Sequence, residues 1–292
     1  MTTRTVTIVK ADGETEPWDR AKLVRSLRLA GAPENLVQEV VRHVEHDLAN
    51  GMRTYDIYRH AFTLLKRMHR PAAARYSLKK AILELGPSGF PFEHFVAEIL
   101  RREGYRTRVG VMIRGLCVSH EVDVVAEKED EIVLVEAKYH NNAGLKTDVK
   151  VTMYVDARMR DIRKRLDQDE SATGKKLHRS WLITNTNFTS QAIQYGTCAG
   201  LYLTGWNYPK GRTLQDLVQS TATHPITCLT TLTANDKRRL IESGRILCQD
   251  LLTNLSDLET LGFSKGKLNA LAQESVALCS IPNAVSTLAA RR

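Results

Sequence analysis

The sequence contains no apolar run of about 18 residues, the length that a transmembrane helix needs. Its first residues, Met1-Thr-Thr-Arg-Thr-Val, lack the apolar core of a signal peptide, so we expect no secretion. The five cysteines are odd in number and far apart, and no two form a CxxC pair. This pattern argues against a disulfide framework and a structural zinc site, and it predicts a reducing, cytoplasmic location without membrane association.

The sequence also lacks internal repeats and the GxxxxGK[ST] motif of phosphate-loop ATPases. What it has is length and positive charge. A chain of 292 residues that is 42% hydrophobic is sufficient for two or three ordinary domains. The formal net charge of +9 favours polyanionic partners without identifying one.

Patterning divides the chain into three predicted domains: residues 1–88, 89–233 and 234–292. The first domain is predicted to begin with a β-hairpin that turns at Asp12-Gly13. Asp19 is the predicted N-cap of the first helix. The rest of this domain is predicted to be a small bundle with helices near 20–30, 35–49, 54–69 and 71–85. The breaker cluster 86–91 separates it from a middle segment in which strands alternate with helices. The last segment is helical. The predicted fold is therefore multidomain α/β.

Three charged residues interrupt apolar β runs in the middle segment: Asp123, Glu136 and Lys138. Glu136 and Lys138 are two apart on a strand and share a face. If Glu129-Asp130 forms a two-residue loop, Asp123 lies directly opposite Glu136. Two carboxylates at such a short distance repel each other unless a cation lies between them. Carboxylate oxygens are ligands that Mg²⁺ and Mn²⁺ prefer. The set predicts metal-dependent phosphodiester hydrolysis, with Asp123 and Glu136 holding the metal, although such spacings also arise by chance.

Residues 90–220 resemble the Mrr-like branch of the PD-(D/E)xK nucleases, and that resemblance favours the catalytic interpretation. The matching motifs are the opening helix that carries Glu93, the strand His120-Glu-Val-Asp123, the strand Val135-Glu136-Ala-Lys138, and the late stretch Trp181–Ala192. The resemblance implies a restriction-endonuclease-like α/β domain with a mixed sheet. It also implies that Glu93 can face the metal, against the alternative of a solvent-facing helix residue. Lys150, on the following helix, is a candidate contact for the scissile phosphate.

The N-terminal hairpin brings Lys10 and Glu16 together, with Lys22 one turn into the next helix. Two lysines at a helix start can hold a triphosphate, and solvated charge is the alternative interpretation. Residues 4–85 resemble the ATP-cone, a regulatory nucleotide-binding module of ribonucleotide reductases and their repressor. The resemblance implies an allosteric pocket for ATP or dATP that also includes Thr54 and Tyr58. Residues 1–88 carry fifteen lysines and arginines against ten acidic residues, which fits a phosphate ligand.

The segment 258–268 resembles a helix-hairpin-helix, whose glycine turn contacts DNA phosphates. Lys265 and Lys267 are its candidate DNA-binding residues, and an ordinary interaction or oligomerisation bundle is the alternative.

Together these features predict a metal-dependent endonuclease, acting on DNA, that forms a homo-oligomer and is controlled by ATP or dATP. The main alternative is a non-catalytic nucleotide sensor whose nuclease-like domain only binds DNA. A third hypothesis is a transcription regulator similar to the reductase repressor. The lack of a zinc ribbon before the ATP-cone disfavours this hypothesis.

Overall fold

The computed structural model describes residues 6–129, 131–173, 176–253 and 255–279. The chain forms two compact units. One comprises Met1–Ala81 together with His224–Arg292, and the other comprises Ile82–Thr223. The first unit thus contains both the predicted N-terminal domain and the C-terminal helices.

The first unit opens with a three-stranded sheet of order β2-β1-β3. Its strands are Thr7–Val9 (β1), Thr15–Pro17 (β2) and Met52–Arg53 (β3). The β1–β2 turn forms as predicted: Gly13 adopts a φ of 85°, and the Lys10 amide donates to the Glu14 carbonyl at 2.8 Å. β3 was not predicted, because two residues are too short for a recognisable alternation.

Five helices complete this N-terminal part: Arg20–Leu29 (α1), Glu34–Asp47 (α2), Thr54–Met68 (α3), Arg70–Tyr76 (α4) and Leu78–Leu83 (α5). Asp19 caps α1 by accepting from the Ala21 amide at 2.9 Å, as predicted. The core consists mainly of leucine, valine and alanine side chains of α1–α4. The single helix predicted over 71–85 is wrong. The chain divides at Ser77, whose hydroxyl donates to the Ala74 carbonyl and competes with the helix ladder.

The C-terminal region is helical, as predicted. It contains a 3₁₀ turn at Ile226–Cys228 and the helices Ala234–Glu242 (α10), Asp250–Thr253 (α11), Leu255–Thr260 (α12) and Lys265–Cys279 (α13). Arg75 of α4 donates to the Ala277 carbonyl of α13, and the Thr227 hydroxyl donates to the Ala81 carbonyl at 2.7 Å. These contacts join the C-terminal helices to the N-terminal bundle within one unit.

The second unit is built on a five-stranded mixed sheet of order β10-β8-β6-β5-β4. Its strands are Arg106–Arg114 (β4), Ser119–Lys128 (β5), Glu131–Lys138 (β6), Lys176–Thr184 (β8) and Tyr202–Thr204 (β10). β4, β5 and β6 form an antiparallel meander, whereas β6, β8 and β10 run parallel. Lys146–Thr147 (β7) and Asn187–Phe188 (β9) form a separate parallel pair.

Helices Phe90–Arg102 (α6), Val149–Thr173 (α7), Ser190–Cys198 (α8) and Leu214–Thr221 (α9) accompany the sheet. Apolar side chains of α7 and α8 pack with β5, β6, β8 and β10 in one core. α7 is the longest of these helices and extends through Thr173. In the described part of the chain, no helix is both long and apolar enough to cross a membrane.

Candidate active site

The β5–β6 hairpin places the two predicted metal ligands side by side. Lys128 pairs with Glu131, as the predicted loop requires, and the paired register continues to Val124 and Val135. One position further along, Asp123 does not extend the paired register. Its Oδ2 instead accepts a hydrogen bond from the Ala137 amide at 2.7 Å. Asp123 is therefore anchored to β6 beside Glu136.

Burial and mutual charge perturb both acids. Burial and the neighbouring charge of Asp123 raise the pKa of Glu136 to about 7, against the opposing positive charges of Arg158 and Lys138. Burial also raises the pKa of Asp123, against a hydrogen bond from the Ala137 amide and the positive charge of Arg158. Each shift means that ionising these carboxyls is unfavourable without further positive charge.

Glu93 belongs to the same electrostatic cluster. It lies in the first turn of α6, as the resemblance implied. Burial, together with the charges of Asp123 and Glu121, raises the pKa of Glu93 to about 7. Lys138 pairs in register with Thr184 of β8, and its charge acts on both Asp123 and Glu136. The structure thus brings together all four residues predicted to be catalytic.

A fifth residue, Arg158 of α7, was not predicted. Its Nη1 lies 2.8 Å from Glu136 Oε2, and its Nη2 donates to the Glu121 carbonyl. The Arg158 and Glu136 side chains are only 13% and 17% exposed. The sequence carried a signal for it, since Lys150, Tyr154 and Arg158 follow one another at four-residue intervals and therefore share a face of α7.

The donor set of this cluster fits a hard divalent cation. Carboxylate oxygens of Asp123, Glu136 and Glu93 are the ligand type that Mg²⁺ and Mn²⁺ prefer. Burial raises the pKa of each of these carboxyls, and a bound cation would favour their charged forms. Within the described residues, however, no three His, Cys, Asp or Glu side chains form a ready-made ligand group.

A buried polar network holds the chain just after Lys138. The Asn185 side chain accepts from the His140 amide at 2.8 Å and donates to the His140 carbonyl at 2.7 Å. The hydroxyls of Thr147 and Thr184, both fully buried, are 3.1 Å apart, and the His140 ring lies 3.0 Å from Thr147. These contacts fix the end of β6 and thereby the Lys138 backbone. The sequence motif included Asn185 without indicating this role.

The N-terminal hairpin gathers the predicted phosphate-site charges. Lys22 Nζ lies 3.0 Å from both oxygens of Glu16, and Lys10 Nζ lies 3.8 Å from Glu16 Oε2. Lys10 also pairs with Glu14 at 2.8 Å. Glu16 therefore bridges the two lysines. All three side chains retain substantial solvent access, so the cluster is open to a ligand.

Thr54 and Tyr58 are placed by α3. β3 runs beside β1, with Arg53 opposite Val9, so Thr54 begins α3 next to the strand that leads to Lys10. The Tyr58 ring stacks on Tyr76 of α4 at 5.4 Å and on Phe62 at 5.9 Å. Tyr58 thus links the predicted pocket to α4.

The predicted DNA-binding lysines differ in their surroundings. Lys265 is exposed at the start of α13, after the turn at Gly262, where φ is 80°. Lys267 is half-buried and pairs with Asp236 at 2.6 Å, and its ammonium also lies 5.1 Å from the Phe263 ring centroid. Lys267 is therefore engaged within the domain.

Comparison with known proteins matches three consecutive segments of this chain. A model of the ATP cone domain matches residues 6–81, and a restriction endonuclease model, Mrr_cat, matches residues 86–204. A model described as AF1548-like, C-terminal, matches residues 224–279. An uncharacterized protein of Archaeoglobus fulgidus is 32% identical over 184 residues, covering 62% of this chain and 97% of that protein. The chain belongs to the AF1548-like family.

A solved structure supports the same assignment. The crystal structure of AF1548, titled a protein of unknown function, is 30% identical and aligns with a TM-score of 0.53 over 66% of this chain and 98% of that chain. The resemblances to the Mrr-like nucleases and to the ATP-cone are confirmed. This AF1548-like protein combines a nuclease-like domain and an ATP cone in one chain. The ATP cone match ends at residue 81 and the restriction endonuclease match begins at residue 86, whereas the C-terminal match begins only at residue 224, after the second ends at 204. The division of the chain into domains 1–88, 89–233 and 234–292 remains a prediction.

Proposed function

We propose that this AF1548-like protein is a metal-dependent endonuclease whose activity on DNA is controlled by ATP or dATP. The observation that carries the proposal is the grouping of Glu93, Asp123, Glu136 and Lys138 at the end of the β5–β6 pairing that lies away from the loop. Partly buried carboxylates of raised pKa beside a lysine are unfavourable for folding by themselves, and they are the groups that a cation and a phosphodiester require.

The roles follow from the chemistry of each group. Asp123, Glu136 and Glu93 would hold Mg²⁺ or Mn²⁺, which when bound supplies a nucleophilic water and stabilises charge on the phosphate. Asp123 is oriented for this by the Ala137 amide. Lys138, on the same face of β6 as Glu136, orients the attacking water or offsets negative charge on the phosphodiester. The Asn185 clamp on His140 keeps the Lys138 backbone in place.

The nucleotide would act at the hairpin. In the absence of a ligand, Glu16 neutralises Lys10 and Lys22, and a triphosphate offers both lysines more negative charge. The N-terminus of α3 at Thr54 adds free backbone amides. We infer a regulatory rather than an energetic role, because the sequence has no phosphate-loop motif.

The second candidate function is nucleotide-dependent DNA binding without cleavage. One observation favours it: Glu136 is paired with Arg158, which supplies part of the positive charge that the metal would supply.

Incubation with plasmid and with several polynucleotides, with and without Mg²⁺, tests the proposal. We expect cleavage that requires Mg²⁺ and disappears in Asp123→Ala, with a loss on the order of 10² or more. Binding of plasmid by both proteins without cleavage by either, across Mg²⁺ and Mn²⁺, would leave the second candidate instead.

A further inference from the structure

Arg158 is the one cation of α7 that is bonded into the carboxylate cluster among the described residues. Its guanidinium pairs with Glu136 at 2.8 Å, donates to the Glu121 carbonyl, and lies 5.5 Å from the Tyr154 ring centroid. The other arginines near it on the helix differ. Arg160, for example, pairs with Asp156 and is 62% exposed.

A metal ion and this guanidinium would compete for the same charge. Glu136 is a proposed metal ligand, and one of its two oxygens is taken by Arg158. Two positive charges about 4–5 Å apart in a partly buried site repel strongly, because solvent screens them poorly. Binding a divalent cation to Glu136 therefore weakens the hold of Glu136 on Arg158.

A released guanidinium needs a new anion, and the proposed substrate supplies one. Arginine binds phosphate oxygens through two parallel hydrogen bonds, a geometry that a phosphodiester matches well. Tyr154 lies one turn before Arg158 and is 64% exposed, and its ring offers a flat surface on which the guanidinium can rest. Lys150, one further turn back, is also exposed on this face.

We propose that Arg158 is an exchangeable counter-ion of the site: it pairs with Glu136 at rest and transfers to a phosphodiester oxygen of the nucleic acid when metal is bound. This inference rests on the proposed nuclease function. It assigns Arg158 two opposing effects, competition with the metal and stabilisation of the substrate, which no purely structural role would produce together.

The test measures both effects in the full-length protein. Mn²⁺ binding is titrated calorimetrically without nucleic acid, and single-turnover cleavage of plasmid is then followed at saturating Mn²⁺. Arg158→Met removes the charge and keeps the chain length. Arg163→Met, which replaces an exposed arginine farther along α7, is the matched control.

We expect Arg158→Met to bind Mn²⁺ about three- to tenfold more tightly than the wild type and to cleave at least tenfold more slowly. Arg163→Met should match the wild type in both measurements. Arg158→Lys keeps the charge but not the paired donors, so it should bind Mn²⁺ like the wild type and cleave severalfold more slowly.

Unchanged or weaker Mn²⁺ binding by Arg158→Met would contradict the proposed exchange of Arg158 between Glu136 and the substrate. If Arg158→Met fails to fold, cleavage by Arg158→Lys at the wild-type rate would contradict it instead. In either case, a wild type that binds Mn²⁺ and cuts leaves the nuclease function standing. A wild type that binds no Mn²⁺ and cuts nothing overturns the function as well.

Discussion

At the scale of single residues, the carboxylate cluster makes stability depend on pH. Burial and neighbouring negative charge raise the pKa of Glu93 from 4.5 to about 7. The unfolded chain loses this proton near pH 4.5, whereas the folded protein keeps it until about pH 7. The resulting penalty on folding is therefore absent below about pH 4.5, grows between those two values, and is complete above pH 7.

Replacing Glu93 by glutamine removes this penalty. In a chelating buffer we expect Glu93→Gln to melt a few degrees higher than the wild type at pH 8, a gain on the order of 1 kcal/mol after allowing for solvent screening. The gain should shrink towards pH 5. Thermal unfolding followed by circular dichroism at both pH values measures it.

The same substitution at Glu98, one turn further along α6 and paired with Arg101, is the control and should give no gain that grows with pH. A Glu93→Gln gain that is equal at pH 5 and pH 8 would contradict the electrostatic explanation.

At the scale of elements, α7 organises the β4–β5 hairpin as well as the active site. Asp161 accepts hydrogen bonds from the Cys117 amide at 2.9 Å and the Val118 amide at 3.3 Å, and it lies 2.8 Å from His120 Nε2. The chain can pass so close to this carboxylate because residue 115 has no side chain. A Cβ there would collide with Asp161 and lie 2.8 Å from the Val118 carbonyl oxygen.

Gly115→Ala should therefore destabilise the protein by about 1–3 kcal/mol, the usual cost of overpacking. Urea unfolding followed by fluorescence measures the loss. The same change at Gly266, where a Cβ meets nothing within 4 Å on α13, should be neutral or stabilise by up to about 1 kcal/mol. Equal effects at the two glycines would show that the hairpin does not depend on this close approach.

Local sequence patterns were sufficient for the elements that form the candidate site. The β5–β6 register followed from one loop and the two-residue period of strands, and the structure confirms it from Lys128–Glu131 to Val124–Val135. The predicted pairing of Asp123 with Glu136 lies one position beyond this paired register, where Asp123 bonds to the Ala137 amide instead. β4 was missed although Val109, Val111 and Ile113 alternate with exposed residues, because Gly110 in the middle of the run counts against a strand. Arg158 and the Asn185 clamp depend on contacts across 22 and 45 residues, which no local pattern specifies.

At the scale of the whole molecule, one unit contains both the cone and the C-terminal helices. α4 joins them: Tyr76 stacks on Tyr58 of α3, and the adjacent Arg75 donates to Ala277 of α13. A nucleotide that moves Tyr58 would therefore act on α4 and, through it, on the C-terminal helices. Such coupling has a functional effect only if the nucleotide binds one state better than another.

We expect ATP or dATP to change the oligomeric state or the cleavage rate, and to remain unhydrolysed. Light scattering and plasmid cleavage with and without nucleotide measure both effects. Lys22→Met should weaken nucleotide binding at least tenfold, about 1.4 kcal/mol, because Lys22 is one of the two lysines proposed to hold the triphosphate. Lys66→Met, an exposed lysine late in α3, is the control and should bind like the wild type.

Calorimetry that detects no binding at millimolar ATP would contradict the proposed nucleotide pocket. Tight binding with unchanged size and unchanged cleavage would keep the pocket and refute the regulation.

The measurement that tests the central claim most directly compares the wild type with Lys138→Met for Mg²⁺-dependent plasmid cleavage, with DNA affinity measured in parallel. Lys164→Met, an exposed lysine of α7, controls for the loss of one positive charge. We predict that Lys138→Met loses cleavage by a factor on the order of 10² or more while binding DNA nearly as well as Lys164→Met. Full cleavage by Lys138→Met, or wild-type cleavage that persists in excess chelator, would contradict the assignment of this site as a metal-dependent nuclease.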